Sequence, residues 1–279
     1  MQMDDYPTGG GIQSTIQKFV NQMTRVTVRL VRVTSRGAFE GIASGFIVKS
    51  HEGYFLISAG HAFWSGAQWL LETNYNTSSE TLLIPLGSAQ LISATEFSDL
   101  ERLLSEEASA GELNALGLPA LVEDCYESKV GEAMDIAWVK INLDALRVEL
   151  AKAGELVNAI LDLDVYTGPL DAEPSTVELY GFASFSHVQV EEHPHVRLLD
   201  RGVAYEIGME YDGLDARYDL YRFKLSRAHQ GHNYYHGSSG SPIADSSGLI
   251  VAIVVCGSTS ENIIFGFPLK RIARLLHLG

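Results

Sequence analysis

Hydrophobic positions change period several times along the chain, and the changes divide it into segments. Arg25-Val-Thr-Val-Arg-Leu-Val-Arg-Val33 alternates polar and apolar residues at period two, which predicts a half-buried strand. Shorter strand-like runs follow at Ser44-Gly-Phe-Ile-Val48, Gly53-Tyr-Phe-Leu-Ile-Ser58 and Thr81-Leu-Leu-Ile-Pro85. Their spacing and the Gly or Ser/Asn turns between them predict a small antiparallel barrel. From about 93 to 118 the composition shifts to Glu, Leu, Ala and Ser, with Leu100, Leu103 and Leu104 at helical spacing, which predicts a helical insertion. A second stretch, 143–164, is rich in Leu, Ala, Glu and Lys and reads as a helical linker. Strand patterns return at 176–182, 218–225, 249–256 and 262–267, and beyond Pro268 a short amphipathic helix closes the chain. Ahead of all these, Gly9-Gly-Gly11 ends a flexible lead-in, and Ile12 to Met23 has some helical character. The organisation expected is a first β-barrel over 12–142 with its insertion at about 93–118, a linker over 143–164, a second β-barrel over 165–268, and a C-terminal helix over 269–279.

Composition narrows the class. The 279 residues suffice for one large domain or two modest ones sharing a core, and 46% hydrophobic with 20% charged residues is ordinary for a soluble globular chain. No apolar run approaches the ~18 residues of a membrane helix. The longest, Leu249-Ile-Val-Ala-Ile-Val-Val-Cys256, is short and β-branched and reads as a buried strand, so no membrane partner is expected. A formal net charge of −15, with 20 scattered Lys and Arg, argues against nucleic acid as a partner. Met1-Gln-Met-Asp-Asp-Tyr-Pro7 lacks the basic and apolar regions of a secretory signal. Two cysteines, Cys125 and Cys256, allow one bridge but no disulfide framework, and the expected setting is cytoplasmic with reduced thiols.

Three segments carry candidate chemistry. Gly53-Tyr-Phe-Leu-Ile-Ser-Ala-Gly-His61 is a strand that runs into small residues and delivers a His at its end. Met134-Asp135-Ile-Ala-Trp-Val-Lys-Ile141 opens an apolar strand on an Asp. His236-Gly237-Ser-Ser239-Gly-Ser-Pro242 is a Gly/Ser-rich turn between strands. Each alone has an ordinary explanation: a loop His, a turn-ending Asp, a flexible loop. A serine hydroxyl, however, becomes a nucleophile when a base takes its proton, and that base needs its second ring nitrogen fixed by a carboxylate.

In the order His, Asp, Ser, these segments resemble the signature motifs of trypsin-like serine peptidases, in particular the bacterial cytoplasmic type. Leu56-Ile-Ser-Ala-Gly-His61 resembles the family's L-T-A-A-H, Asp135-Ile-Ala-Trp-Val139 its D-I-A-L-L, and Gly237-Ser-Ser239-Gly-Ser-Pro242 its G-D-S-G-G-P. Gly41-Ile-Ala-Ser-Gly-Phe-Ile-Val48 resembles the hairpin before the His strand, and Gly248 to Gly257 with Phe265-Gly-Phe-Pro-Leu269 resembles the closing strands. The resemblance implies a mainly β, chymotrypsin-like double six-stranded antiparallel barrel with helical insertions. It implies a serine endopeptidase using His61, Asp135 and Ser239, with the backbone N–H groups of Gly237 and Ser239 as oxyanion hole. A protein or peptide substrate would pair with Val255-Cys256-Gly257, near Asn233 and His236. Asn233, six residues before Ser239, takes the place of an acid at the pocket base, which disfavours Lys or Arg substrates. Two departures stand out. Ser238 replaces the Asp that pairs with a newly freed N-terminus in zymogen-activated members, and Ser241 replaces the second Gly of the motif.

No cofactor is expected. His229, His232 and His236 form one set of imidazoles and His187, His193 and His195 another, but neither has a nearby Cys or a helix presenting two His on one face, so no metal is expected. Cys256, in an apolar strand, is disfavoured as a nucleophile. The rival reading is a protease fold kept latent, or used as a binding module, until a regulatory protein partner orders it. An open oxyanion turn favours constitutive activity and a collapsed one favours latency.

Overall fold

The computed structural model describes residues 10–33, 39–50, 53–63, 68–73, 82–86, 90–91, 135–143, 164–186, 190–193, 196–199, 202–216 and 218–276. The expected insertion at about 93–118 and nearly all of the linker at 143–164 lie outside them, as does Cys125.

Helix α1 (Gly10–Val26) comes first. Ile16, Phe19, Val20 and Met23 recur at helical spacing on its buried side, while Gln17, Lys18, Asn21 and Gln22 are not buried. Strands β1 (Thr27–Val33), β2 (Phe39–Ser50), β3 (Gly53–Ser58), β4 (Gln68–Thr73), β5 (Leu82–Pro85), β6 (Gln90–Leu91) and β7 (Ala137–Ile141) form a seven-stranded antiparallel sheet in the order β5-β4-β1-β2-β3-β7-β6. The expected first barrel is thus an open half-barrel among the described residues, with one strand more than six.

Strands β2 and β3 are apolar without alternation because both faces are covered. Phe46, Val48, Phe55 and Ile57 point into the core shared with the second half, and Ile47 and Leu56 into the first sheet's own core with Leu30, Leu71 and Val139. The alternation of β1 predicts exposed arginines, but Arg29 is only 1% exposed. It stands opposite Glu72 on β4, and their side chains form a buried ion pair at 2.8 Å. With Arg29 and Glu72 both buried on this face of the sheet, the guanidinium is neutralised across the ladder.

In the second half, β8 (Leu179–Ser186), β11 (Gly202–Asp215), β12 (Leu220–Lys224), β13 (Pro242–Asp245), β14 (Ile250–Ser258) and β15 (Ile263–Pro268) close into a six-stranded barrel in the order β11-β12-β15-β14-β13-β8, and β9 (Val190–His193) with β10 (Val196–Leu199) forms a separate hairpin. The chain is mainly β, with one closed barrel and one half-barrel, the class expected for a chymotrypsin-like double barrel. Short helix α2 (His232–Tyr235) precedes β13, and α3 (Leu269–Leu276) follows Pro268 as the periodicity predicts.

The two halves are stitched together at Tyr166. Its N–H donates to Ile47 O (2.9 Å), its carbonyl accepts from Lys49 N–H (3.2 Å), and its hydroxyl accepts from Ile250 N–H (3.2 Å) on the second barrel. Thr27 Oγ1 adds a buried bond to Ala183 O at 2.9 Å.

Candidate functional site

His61 and Asp135 are 74 residues apart, and the topology brings them together. Strands β3 and β7 are antiparallel neighbours with Ser58 opposite Ala137, so the residues after Ser58 lie beside those before Ala137. Past Ser58 the chain makes one 3₁₀ turn, Gly60–Ala62, closed by Phe63 N–H to Gly60 O at 2.8 Å, and His61 sits in it. Asp135 takes two bonds from this one residue: the backbone N–H of His61 donates to Oδ1 (2.6 Å) and the ring Nδ1 to Oδ2 (2.6 Å). Facing a carboxylate, Nδ1 must carry the proton, which leaves Nε2 as the basic nitrogen of the neutral ring. The carboxylate is 2% exposed and the imidazole 25%. Burial alone lowers the pKa of His61, but the charge and hydrogen bond of Asp135 outweigh it and hold the imidazole above its usual value.

Ser239 lies on the turn between α2 and β13, and barrel two presents that turn to the first sheet. Ser44 on β2 grips it from beneath: its N–H donates to Ser239 O (2.9 Å) and its Oγ to Gly237 O (2.7 Å). The next residue, Gly240, has φ +89°, and a Cβ there would fall 2.1 Å from Ser44 O and 2.5 Å from Ser58 Oγ, so only glycine fits. The same Cβ would lie 3.0 Å from Ala59 N, which puts the Ser239 turn directly beside the strand end that delivers His61.

Tyr235 to Ser238 is a type II turn. His236 has φ −58° and ψ 121°, Gly237 has φ +91°, and Ser238 N–H donates to Tyr235 O at 2.8 Å. Glycine is required at the third position of such a turn, and here a Cβ would also meet Phe185 O at 2.7 Å. Among the described residues the backbone N–H groups of Gly237 and Ser239 donate to no protein acceptor. They are two free donors on one turn. Ser239 Oγ lies 3.5 Å from Val255 O, a long contact, and no hydrogen bond joins it to His61 among the described residues.

Two further groups hold this turn. Ser238 Oγ pairs with Ser184 Oγ on β8 at 2.6 Å in a buried, neutral contact. Beneath α2, buried Glu206 receives Tyr235 Oη (2.7 Å) and a two-pronged contact from Arg227, whose Nη2 also donates to Tyr205 O (3.0 Å). Burial and the Glu206 carboxylate push the Tyr235 hydroxyl well above the usual phenol range, so it stays a donor.

The expected substrate residues are placed unevenly. On β14, Val255 is buried, Cys256 half-buried and Gly257 exposed. Strand β13 begins at Pro242, opposite Ile253, and the contacts Gly240 N–H to Val254 O and Val254 N–H to Ser241 O (both 2.8 Å) end the pairing on that side. Beyond Val254, β14 pairs only with β15 among the described residues, so an open strand edge starts beside Ser239. His236 is half-buried in the turn. Asn233 is exposed on α2. His229, weighed from sequence only as a metal ligand, faces Gly257. Burial, and secondarily Asp135, push the Cys256 thiol up to about 12, so it is protonated and inert. Among the described residues no cluster of three His, Cys, Asp or Glu is placed to hold a metal, and no helix is long and apolar enough to cross a membrane. His187 and His195 lie outside them.

No protein-family model matches the chain, and no curated protein matches its sequence. Among solved structures it is similar to a serine endoprotease from Yersinia pestis, at 12% identity and a TM-score of 0.48, over 98% of this chain and 67% of that one. At that distance the likeness decides nothing about activity, which must be read from the residues above.

Proposed function

We propose that the chain is a serine endopeptidase. The observation that carries the reading is the His61–Asp135 pair, its carboxylate buried and its imidazole 25% exposed, beside a serine turn whose Gly237 and Ser239 N–H groups donate to no acceptor among the described residues. In this reading Nε2 of His61 accepts the Oγ proton as Ser239 attacks the peptide carbonyl carbon. The Gly237 and Ser239 N–H groups stabilise the oxyanion, where losing one donor typically costs about 3 kcal/mol. Collapse of the tetrahedral adduct breaks the C–N bond, His61 returns the proton to the leaving amine, and water then releases the acyl group by the same steps. Substrate lies along the open edge at Val255-Cys256-Gly257, paired through its main chain. The neutral Ser184–Ser238 contact supports a turn that needs no newly cut N-terminus to form.

One observation favours the rival, a latent form awaiting a partner: Ser239 Oγ makes only a long contact to Val255 O and, among the described residues, no hydrogen bond to His61. Catalytic hydrogen bonds are often unmade in free enzymes, so the two readings differ in reactivity more than in this contact. A fluorophosphonate probe separates them. Labelling of wild type that is lost in both Ser239→Ala and His61→Ala is expected; a folded wild type that takes no label would overturn constitutive activity in favour of latency.

A further inference from the structure

His229 is the group that the site as described leaves unexplained. Its backbone N–H donates to Asn262 Oδ1 (2.7 Å), and its ring packs on Tyr235 with centroids 4.5 Å apart. Nδ1 accepts the N–H of Gly231 at 3.1 Å, with Thr259 Oγ1 at 3.3 Å from the same nitrogen. A nitrogen that accepts carries no proton, so the ring's proton sits on Nε2. That Nε2 is buried and has no hydrogen-bond partner among the described residues. A buried donor left unmade is a standing cost that an incoming acceptor removes.

Its position gives that donor a use. Nε2 lies 2.7 Å from where a Cβ on Gly257 would be. It therefore fills the space that the absent side chain leaves on the open edge of β14, two residues past the Val255 carbonyl that Ser239 touches. Gly257 itself is exposed, so a small rotation of the ring presents Nε2 to a side chain arriving along that edge.

We propose that His229 sets the substrate preference of the site, its Nε2–H donating to a side-chain carbonyl oxygen of the residue on the acyl side of the cut bond, glutamine first and glutamate second. The inference rests on the peptidase reading. Burial, with His232 adding to it and Glu206 opposing, keeps the imidazole below its usual pKa, so it meets substrate as a neutral donor. A neutral donor suits an amide oxygen, and the chain's net charge of −15 disfavours a carboxylate by comparison. Lys and Arg side chains offer no acceptor, and Leu or Phe would bury the donor unpaired.

The test is a set of fluorogenic peptides differing only at that residue (Gln, Glu, Leu, Phe, Lys, Arg), run on the full chain beside fluorophosphonate labelling. Gln should lead Leu by at least ~10-fold in kcat/KM, with Glu between them. In His229→Phe the Gln-to-Leu ratio should fall to about 1, and His229→Gln, which restores an N–H donor, should recover part of it. The ratio is unaffected by the fraction of folded protein. Labelled wild type that prefers Leu, Phe, Lys or Arg, or a ratio unchanged in His229→Phe, overturns the role of His229 alone. Wild type that neither labels nor cleaves any peptide overturns the peptidase reading and this inference with it.

Discussion

The two sides of the candidate site are built from different physics. The first sheet contributes charge: a carboxylate 2% exposed, held to the ring Nδ1 and the backbone N–H of His61 by one bond of 2.6 Å each, with a buried ion pair, Arg29–Glu72, in the same sheet. The second barrel contributes a turn fixed almost wholly by neutral groups, with Ser44 on its carbonyls, Ser184 on Ser238, and glycine where a side chain would collide. Its one charged support, Glu206–Arg227, acts a layer away through Tyr235. On the proposed reading the contrast is a division of labour: the side that would change protonation is electrostatically tuned, whereas the side that would stay still is held by geometry that pH does not touch.

Breaking the charged side should have the largest effect. Asp135→Asn keeps the shape but faces His61 with an amide, and on the proposed peptidase reading kcat/KM should fall by about 10⁴. The sign with pH follows from the raised pKa of His61. Stability from the protonated pair is present in full below the ordinary imidazole pKa of about 6.5 and is lost as pH rises through the higher folded value. The proposed activity runs the other way, because only the neutral ring accepts a proton. The acid limb of kcat/KM should therefore have its midpoint above about 6.5 in wild type and shift downward in Asp135→Asn. An acid limb at or below 6.5 in wild type would contradict the tuning.

Next in size is Arg29→Met, which strands the Glu72 carboxylate in the core and should cost about 3–5 kcal/mol in denaturant unfolding. The paired change, Arg29→Met with Glu72→Leu, should recover most of it; no recovery would mean that the guanidinium serves packing rather than charge. On the second barrel, Glu206→Gln weakens the Arg227 and Tyr235 bonds and should cost about 2 kcal/mol, read by the same unfolding.

How far these parts could be read from sequence depends on whether each rests on local pattern or on long-range contact. A strand running into Ser-Ala-Gly-His61 and an Asp just ahead of β7 are local, and so is the Gly-Ser-Ser-Gly turn; these residue patterns are legible without coordinates. Arg29 misled because alternation reports which side chains differ, not which side meets water. Strand β11 escaped notice because its register shifts between Ile207 and Met209 and again between Tyr211 and Leu214, so no single period runs through it. Ser44, Ser184 and His229 are ordinary residues by type. Each acquires its part only from a partner far away in the chain, as Ser44 does from Gly237, 193 residues on.

The smallest effect tests the comparison most sharply. In the buried Ser184–Ser238 pair, Ser184 Oγ also reaches Ala204 O at 3.3 Å, which orders the donors: Ser238 gives its proton to Ser184, and Ser184 gives its own to the carbonyl. Ser184→Ala leaves the Ser238 hydroxyl buried without its acceptor and should cost about 1 kcal/mol. Ser184→Ala combined with Ser238→Ala removes the orphan as well, so the double variant should be no less stable than the single one, a non-additivity that a double-mutant cycle reads directly. Charged partners behave alike in that one respect, but only they move with pH. The stability difference between wild type and Ser184→Ala should thus be flat from pH 5 to 8, across the range in which an imidazole titrates at about 6.5. A slope in that difference would mean that charge reaches the serine turn after all, and that the two sides of the site are coupled rather than separately built.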